Sequence, residues 1–188
     1  FGSTSITSYY DNSNYDGFVA RLSAQGVWSW AERMGGGYND HARGIALDSN
    51  QNIYVVGESR LTYGTSYYRY AYFGSYSFMI ACTNGNWMNN GFLAKLNPSG
   101  SFQWVHRLDS QCQSDVYMRD VVTDGNDVPF VTGYFRNNLY AGGFSVASTG
   151  GWDIFIGKTT STTSSWTWLI VGGGLDEDYP QRLAIDAN

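Results

Sequence analysis

The chain has 188 residues, enough for one or two domains, with 11 Lys and Arg against 16 Asp and Glu and a net charge of −5. Gly (23), Tyr (15) and Trp (7) are abundant and Pro (3) is scarce, a composition that favours strands and tight turns over helices. No basic patch runs along the chain and no apolar run approaches the roughly 18 residues of a membrane helix, so nucleic-acid binding and a helical membrane span are both excluded as readings.

In chain order, the first strand is predicted at Asp16-Gly17-Phe18-Val19-Ala20-Arg21-Leu22, followed by an aromatic stretch at Trp28-Ser29-Trp30. The pair recurs as Asn90-Gly91-Phe92-Leu93-Ala94-Lys95-Leu96 with Phe102-Gln103-Trp104, and as Asp153-Ile154-Phe155-Ile156-Gly157-Lys158-Thr159 with Trp166-Thr167-Trp168. Ser23-Ala24-Gln25-Gly26 and Asn97-Pro98-Ser99-Gly100 are the turns that make each pair a hairpin. A second motif runs from Arg43-Gly44-Ile45-Ala46-Leu47-Asp48 through Asn52 to Ile53-Tyr54-Val55-Val56-Gly57. It recurs from Arg119 to Gly133 and begins again at Arg182-Leu183-Ala184-Ile185-Asp186. Alternation at Ile45 and Leu47 is the period of a half-buried strand, Asp-x-Asn supplies the turn, and Gly57 and Gly133 are expected to end the second strand where the backbone bends or meets a neighbour closely. Pro129 lacks an amide donor and predicts an edge or a bulge.

Two hairpins per repeat give four antiparallel strands, and radial repetition of such a sheet is a β-propeller. The expected fold is therefore all-β, a propeller segment of about three blades' worth of chain. Its repeats lie near 1–41 (partial), 42–117, 118–180 and 181–188 (partial), with a Tyr-rich insert at 60–89. The spacing is 76 residues from Arg43 to Arg119 and 63 from Arg119 to Arg182, and the excess is assigned to loop between Ser59 and Asn89. Two to three blades do not close a ring, which takes about four or more. The chain is expected to be part of a larger polypeptide, with a dimer or trimer completing the ring as the second possibility. Gly35-Gly36-Gly37 and Gly172-Gly173-Gly174 read as flexible connections between blades, not phosphate loops, because neither opens a helix.

The Asp-Gly-Phe-Val-Ala-Arg-Leu strand, the Gly-Val-Trp-Ser-Trp hairpin, the Gly35-Gly36-Gly37 segment and the Arg-Gly-Ile-Ala-Leu-Asp…Asn-Ile-Tyr-Val-Val-Gly hairpin together resemble the bacterial SBBP β-propeller repeats. The resemblance implies a secreted or cell-surface protein of bacteria and carries no common catalytic residues.

Candidate sites follow from residue type. Trp28, Trp30, Trp104, Trp166 and Trp168 are assigned to a core between blades. Tyr63, Tyr67, Tyr68, Tyr70, Tyr72 and Tyr76 make a surface suited to a protein partner or to a glycan, because tyrosine offers a large amphipathic face at low entropic cost; packing of the insert on its own blade is the plainer account of them. Cys82 and Cys112 would form a disulfide in an extracellular chain, and two unrelated thiols is the alternative. Asp176, Glu177 and Asp178 are a weak calcium site, and the oxygen-rich Asp48–Asn52 turn is explained without a metal. His41 and His106 share no motif and no nucleophile elbow or metal-protease pattern occurs, so no catalytic residue is assigned and no cofactor is required. The expected role is a non-enzymatic scaffold for adhesion, surface display or assembly through protein contacts. The alternative is a lectin-like module using the tyrosines, and further behind it an enzyme with a site in the propeller channel.

Overall fold

The computed structural model describes residues 1–9, 14–62, 70–79, 87–109, 114–162 and 165–186. All regular elements among them are strands: β1 (Gly17–Leu22), β2 (Trp28–Gly36), β3 (Asp40–Leu47), β4 (Ile53–Thr62), β5 (Tyr70–Phe73), β6 (Tyr76–Met79), β7 (Trp87–Leu96), β8 (Phe102–Leu108), β9 (Asp115–Thr123), β10 (Pro129–Arg136), β11 (Asn138–Ala141), β12 (Phe144–Ala147), β13 (Asp153–Thr159) and β14 (Trp166–Gly172). Two complete four-stranded antiparallel blades form in the orders β3-β4-β7-β8 and β9-β10-β13-β14. Each joins the Arg-led hairpin to the following aromatic hairpin, as the repeat predicts. A third sheet, β1-β2-β5-β6, is assembled differently. Its β5–β6 hairpin leaves the second blade between β4 and β7 and pairs with β2 through Met34↔Phe73, Gly35↔Tyr72 and Gly36↔Ala71.

The insert is thus not simply loop. Its middle is a hairpin that adds two strands to the preceding sheet. The third blade repeats the device, since β11–β12 leaves between β10 and β13 and meets the end of β8 through the Asp109↔Tyr140 bridge. The hairpin turns carry a left-handed glycine at Gly74 and Gly142 (φ 59° each), and Gly2 (φ 62°) matches them. Each glycine lies against the first residue of the aromatic stretch of its repeat: Gly2 on Trp28, Gly74 on Phe102 and Gly142 on Trp166.

The four tight hairpins β1–β2, β3–β4, β7–β8 and β9–β10 share one turn chemistry. Ser23, Asp48, Asn97 and Asp124 each accept, through one side-chain oxygen, the amides two and four residues on. The residue three positions on is left-handed in each: Gly26, Gln51, Gly100 and Asp127. This is a type I turn followed by a bulge residue, and it explains the Asp-x-Asn recurrence by local hydrogen bonding.

Four expectations are corrected. Gly57 and Gly133 do not end their strands; β4 runs on to Thr62 and β10 to Arg136. They lie opposite bulges. Ala42↔Gly57 is followed by Gly44↔Val56, which leaves Arg43 unpaired, and Met118↔Gly133 is followed by Asp120↔Thr132, which leaves Arg119 unpaired. The bulged backbone presses inward, so a Cβ on Gly57 would sit 1.9 Å from the His41 carbonyl oxygen, and on Gly133 2.2 Å from that of Tyr117. Pro129 sits in an interior strand, not an edge, and is tolerated as the first residue of β10. The first glycine run is not a loose connection either: Gly35 and Gly36 lie in β2, and a Cβ on Gly36 would meet the Tyr70 carbonyl oxygen at 2.1 Å, whereas Gly173 and Gly174 follow the end of β14. Residues 181–186 form no strand, because a strand needs a ladder partner and none lies beside them among the described residues.

The core is two slabs between sheets. The first gathers Val19, Met34 and Phe73 with Ile53, Val55, Phe92, Ala94 and Leu96. The second gathers Tyr54, Val56, Leu93 and Leu108 with Val116, Val131, Phe135, Phe155 and Trp166. Along β4 and β7 of the middle blade, alternate residues go to opposite slabs, so both faces are buried and the strands read as continuous apolar runs. Polar contacts tie the sheets as well. Arg21 and Trp30 Nε1 donate to the Pro98 carbonyl at 2.8 and 3.1 Å, and Lys95 donates to that of Ser161 at 2.9 Å. The basic residue of each of the first two motif strands therefore holds the turn of the next blade.

Candidate functional site

The two complete blades pair their motif strand on both sides, β7 with β4 and β8, and β13 with β10 and β14. Among the described residues β1 pairs with β2 alone, and its other edge is open. Burial reports the same asymmetry. Phe92 and Phe155 are 0% exposed, while Phe18, the same motif position, is 51% exposed. Leu96 is buried; its counterpart Leu22 is half exposed. A groove of about 490 Å³ follows the open edge, lined in part by Val19, Leu22, Trp30, Ile45, Leu47 and Ile53. Phe1 is a partial cover, its ring 5.1 Å from Phe18 and 5.0 Å from Trp28.

One end of this edge is acidic. Tyr15, Asp16, Phe18, Asp40 and His41 line a hollow there. Burial raises the Asp16 carboxyl, and it raises that of Asp40 well above the usual range although Asp40 Oδ2 accepts the Gly36 amide at 2.7 Å. Asp40 Oδ1 is buried without a hydrogen-bond partner. The open edge thus presents unpaired backbone, an apolar floor and two carboxyls whose proton affinity burial raises, which suits an incoming strand better than a small polar substrate.

The structure separates the predicted site residues. Tyr72 stacks on Tyr9 at 4.9 Å and on Tyr70 at 5.9 Å, and the Tyr76 hydroxyl donates to the Gln103 carbonyl. These three hold the β5–β6 hairpin to its neighbours. Tyr63, Tyr67, Tyr68, Cys82 and Cys112 lie outside the described residues, and the disulfide reading with them. Asp178 Oδ2 accepts the Gly174 amide at 2.9 Å and Glu177 accepts the Tyr179 hydroxyl at 2.7 Å. Among the described residues no three His, Cys, Asp or Glu side chains gather as a metal cage, Asp176, Glu177 and Asp178 included.

The tryptophans divide. Trp166 is buried in the second slab, and Trp30 and Trp104 pack against the first and second. Trp28 is 41% exposed where its counterparts Phe102 and Trp166 are each 8% exposed, and Trp168 lies outside both slabs against Phe130 at 5.8 Å. The assignment of all five to a core is corrected for these two, which sit on the uncovered outer faces of the first and last sheets.

His106 is a buried polar residue to which the sequence assigns no role. It lies between Trp104 and Trp166, 4.9 and 5.6 Å from their rings, with Nε2 unpartnered. Burial pushes its imidazole down from 6.5 to about 4. The unfolded chain therefore binds the proton more tightly. This contribution to stability is complete above the ordinary value and is lost as pH falls from there toward the folded-state value. Urea midpoints measured through that window should fall with pH, and His106→Leu should flatten the decline; an unchanged slope would show that other groups cause it.

Residues 28–60 match the SBBP β-propeller repeat family. The matched span runs from the start of β2 through β3 and nearly to the end of β4, so it takes the second strand of one sheet and the first two strands of the next. With the four-stranded sheets, it makes the fold one of β-propeller blades. No curated protein matches the chain.

Proposed function

We propose that this chain is a non-enzymatic β-propeller scaffold of a secreted or surface-anchored bacterial protein, and that it works through protein contacts made by its uncovered sheet edges. The observation that carries the reading is Phe18, half exposed at a position where Phe92 and Phe155 are wholly buried. A residue chosen to sit between blades stands open, beside a strand with a free ladder edge. The opposite end is open too, with Ile170 and Val171 of β14 exposed. Contiguous apolar surface of this kind marks an interaction site, and a propeller fold is a common platform for protein recognition. The occupant that fits is a strand of the β4 or β10 kind, apolar on both faces.

A glycan-binding role would rest on the Tyr-rich insert. Tyr70 and Tyr72 already spend ring faces on each other and on Tyr9, which weighs for packing there. Light scattering after size exclusion tests the proposal. The chain should self-associate as concentration rises from nanomolar to high micromolar, and Phe18→Asp should abolish association without lowering the melting temperature. A wild-type chain that stays monomeric throughout would overturn the assembly reading.

A further inference from the structure

The two β-bulges do more than bend their strands. A bulge re-aims the unpaired residue, and in β3 and β9 that residue is an arginine, Arg43 and Arg119. The strands lie against each other so closely that a Cβ on Gly44 would be 2.9 Å from Asp120 Cα. The chain beyond β14 returns to the same place. The Leu183 amide donates to Asp120 Oδ2 at 2.9 Å, and Arg182 Nη1 stands 3.7 Å from Asp120 Oδ1. Three arginines from three repeats thereby surround one cavity of about 390 Å³, lined by Arg43, Arg119, Tyr179, Gln181 and Arg182.

The three guanidinium groups are unequally committed. Arg43 is committed to Glu58 Oε1 through Nε and Nη2, at 2.9 and 2.6 Å. The Arg182–Asp120 pair is long and the Arg182 side chain is 75% exposed. Arg119 pairs with no carboxylate among the described residues. It donates to the Tyr134 hydroxyl at 2.8 Å, and its guanidinium lies 4.8 Å from that ring. The ring is itself held: Tyr117 stacks on it at 5.0 Å, and Trp152 and Tyr179 meet it edge-on at 5.2 and 4.9 Å. A guanidinium fixed over a rigid aromatic floor keeps donors free on its outer side. Planar forks of this kind match carboxylate, sulfate and phosphate oxygens. Glu58 and Asp120 face Arg43 and Arg182, and Glu177 takes the Tyr179 hydroxyl, so what the cavity offers an anion is the uncommitted donors of Arg119 and Arg182.

We propose that this cavity, on the inner strands of the blades, binds an oxyanion group, with Arg119 and Arg182 as its donors and Gln181 and Tyr179 at its wall. The inference stands apart from the edge-assembly reading, since it concerns the inner strands and not Phe18. Isothermal titration with sodium sulfate, inorganic phosphate and galacturonate, at constant ionic strength, tests it and separates a sulfated, a phosphorylated and a uronate carrier. At least one probe should bind saturably at a single site. Arg119→Gln should weaken that binding about tenfold or more, as loss of a charged hydrogen bond does. Arg182→Gln, at an exposed side chain that the fold does not need, should weaken it as well, and Arg33→Gln, remote from the cavity, should not. Should Arg119→Gln fail to fold, Arg182→Gln decides. No saturable binding of any of the three probes, or binding unchanged in the arginine variants, would overturn the proposal.

Discussion

Replacing Phe92 by Ala should lower stability by about 3–5 kcal/mol, while Phe18→Ala should cost less than about 1 kcal/mol. The two residues occupy the same place in the repeated strand, so propensity and local sequence are nearly matched. They differ in what lies across from them. Phe92 is wholly buried and meets Phe73 edge-on at 4.9 Å in the slab between the first two sheets, so its loss leaves a cavity lined by atoms that cannot collapse. Phe18 faces open surface under a partial cover from Phe1. Urea denaturation of both variants, under conditions where the chain is monomeric, measures the difference. Equal losses would mean that the first sheet's outer face is covered and would remove the ground for an interaction surface there.

The second large effect is expected at a glycine. Gly57→Ala should cost at least about 3 kcal/mol or prevent folding, because the added methyl would lie 1.9 Å from the His41 carbonyl oxygen and 2.7 Å from the Phe92 ring. The oxygen belongs to a paired strand beside the Arg43 bulge and cannot retreat without breaking the β3–β4 ladder. Gly133→Ala, opposite the Arg119 bulge, should behave alike, whereas Gly125→Ala, with open space around it, should stay within about 0.5 kcal/mol of the parent. Thermal melts of the three variants decide. A Gly57→Ala chain that melts like the parent would show that the bulge, and with it the placement of Arg43, is wrong.

Much of the blade is legible in the amino-acid sequence. Strand periodicity at Ile45 and Leu47, the Asp-x-Asn turn and the recurring aromatic hairpin are local signals, and local signals report hairpins; they do not report which face is covered, and Ile45 and Leu47 are 59% and 51% exposed. Pairing between hairpins also follows, because both blades join elements that are close in sequence. The candidate sites are less legible. Tyr72 looks like a ligand platform in sequence, and in space its ring stacks on Tyr9. Arg43 and Arg119 read merely as the first letters of a motif; their convergence depends on a bulge, which is a register event invisible to composition. His106 gives no signal because its burial is made by Trp104 and Trp166, from two different repeats.

The all-β class, the four-strand repeat and the turn chemistry at Ser23, Asp48, Asn97 and Asp124 are encoded locally, since each rests on interactions spanning a few residues. Three further matters depend on how the sheets come together. Their packing sends the β5–β6 hairpin onto the preceding sheet, leaves Phe18 uncovered while burying Phe92 and Phe155, and brings three arginines of separate repeats to one cavity. The cause is common to all three. Repeated strands carry nearly the same local code, and what distinguishes one copy from another is which neighbouring sheet lies against it.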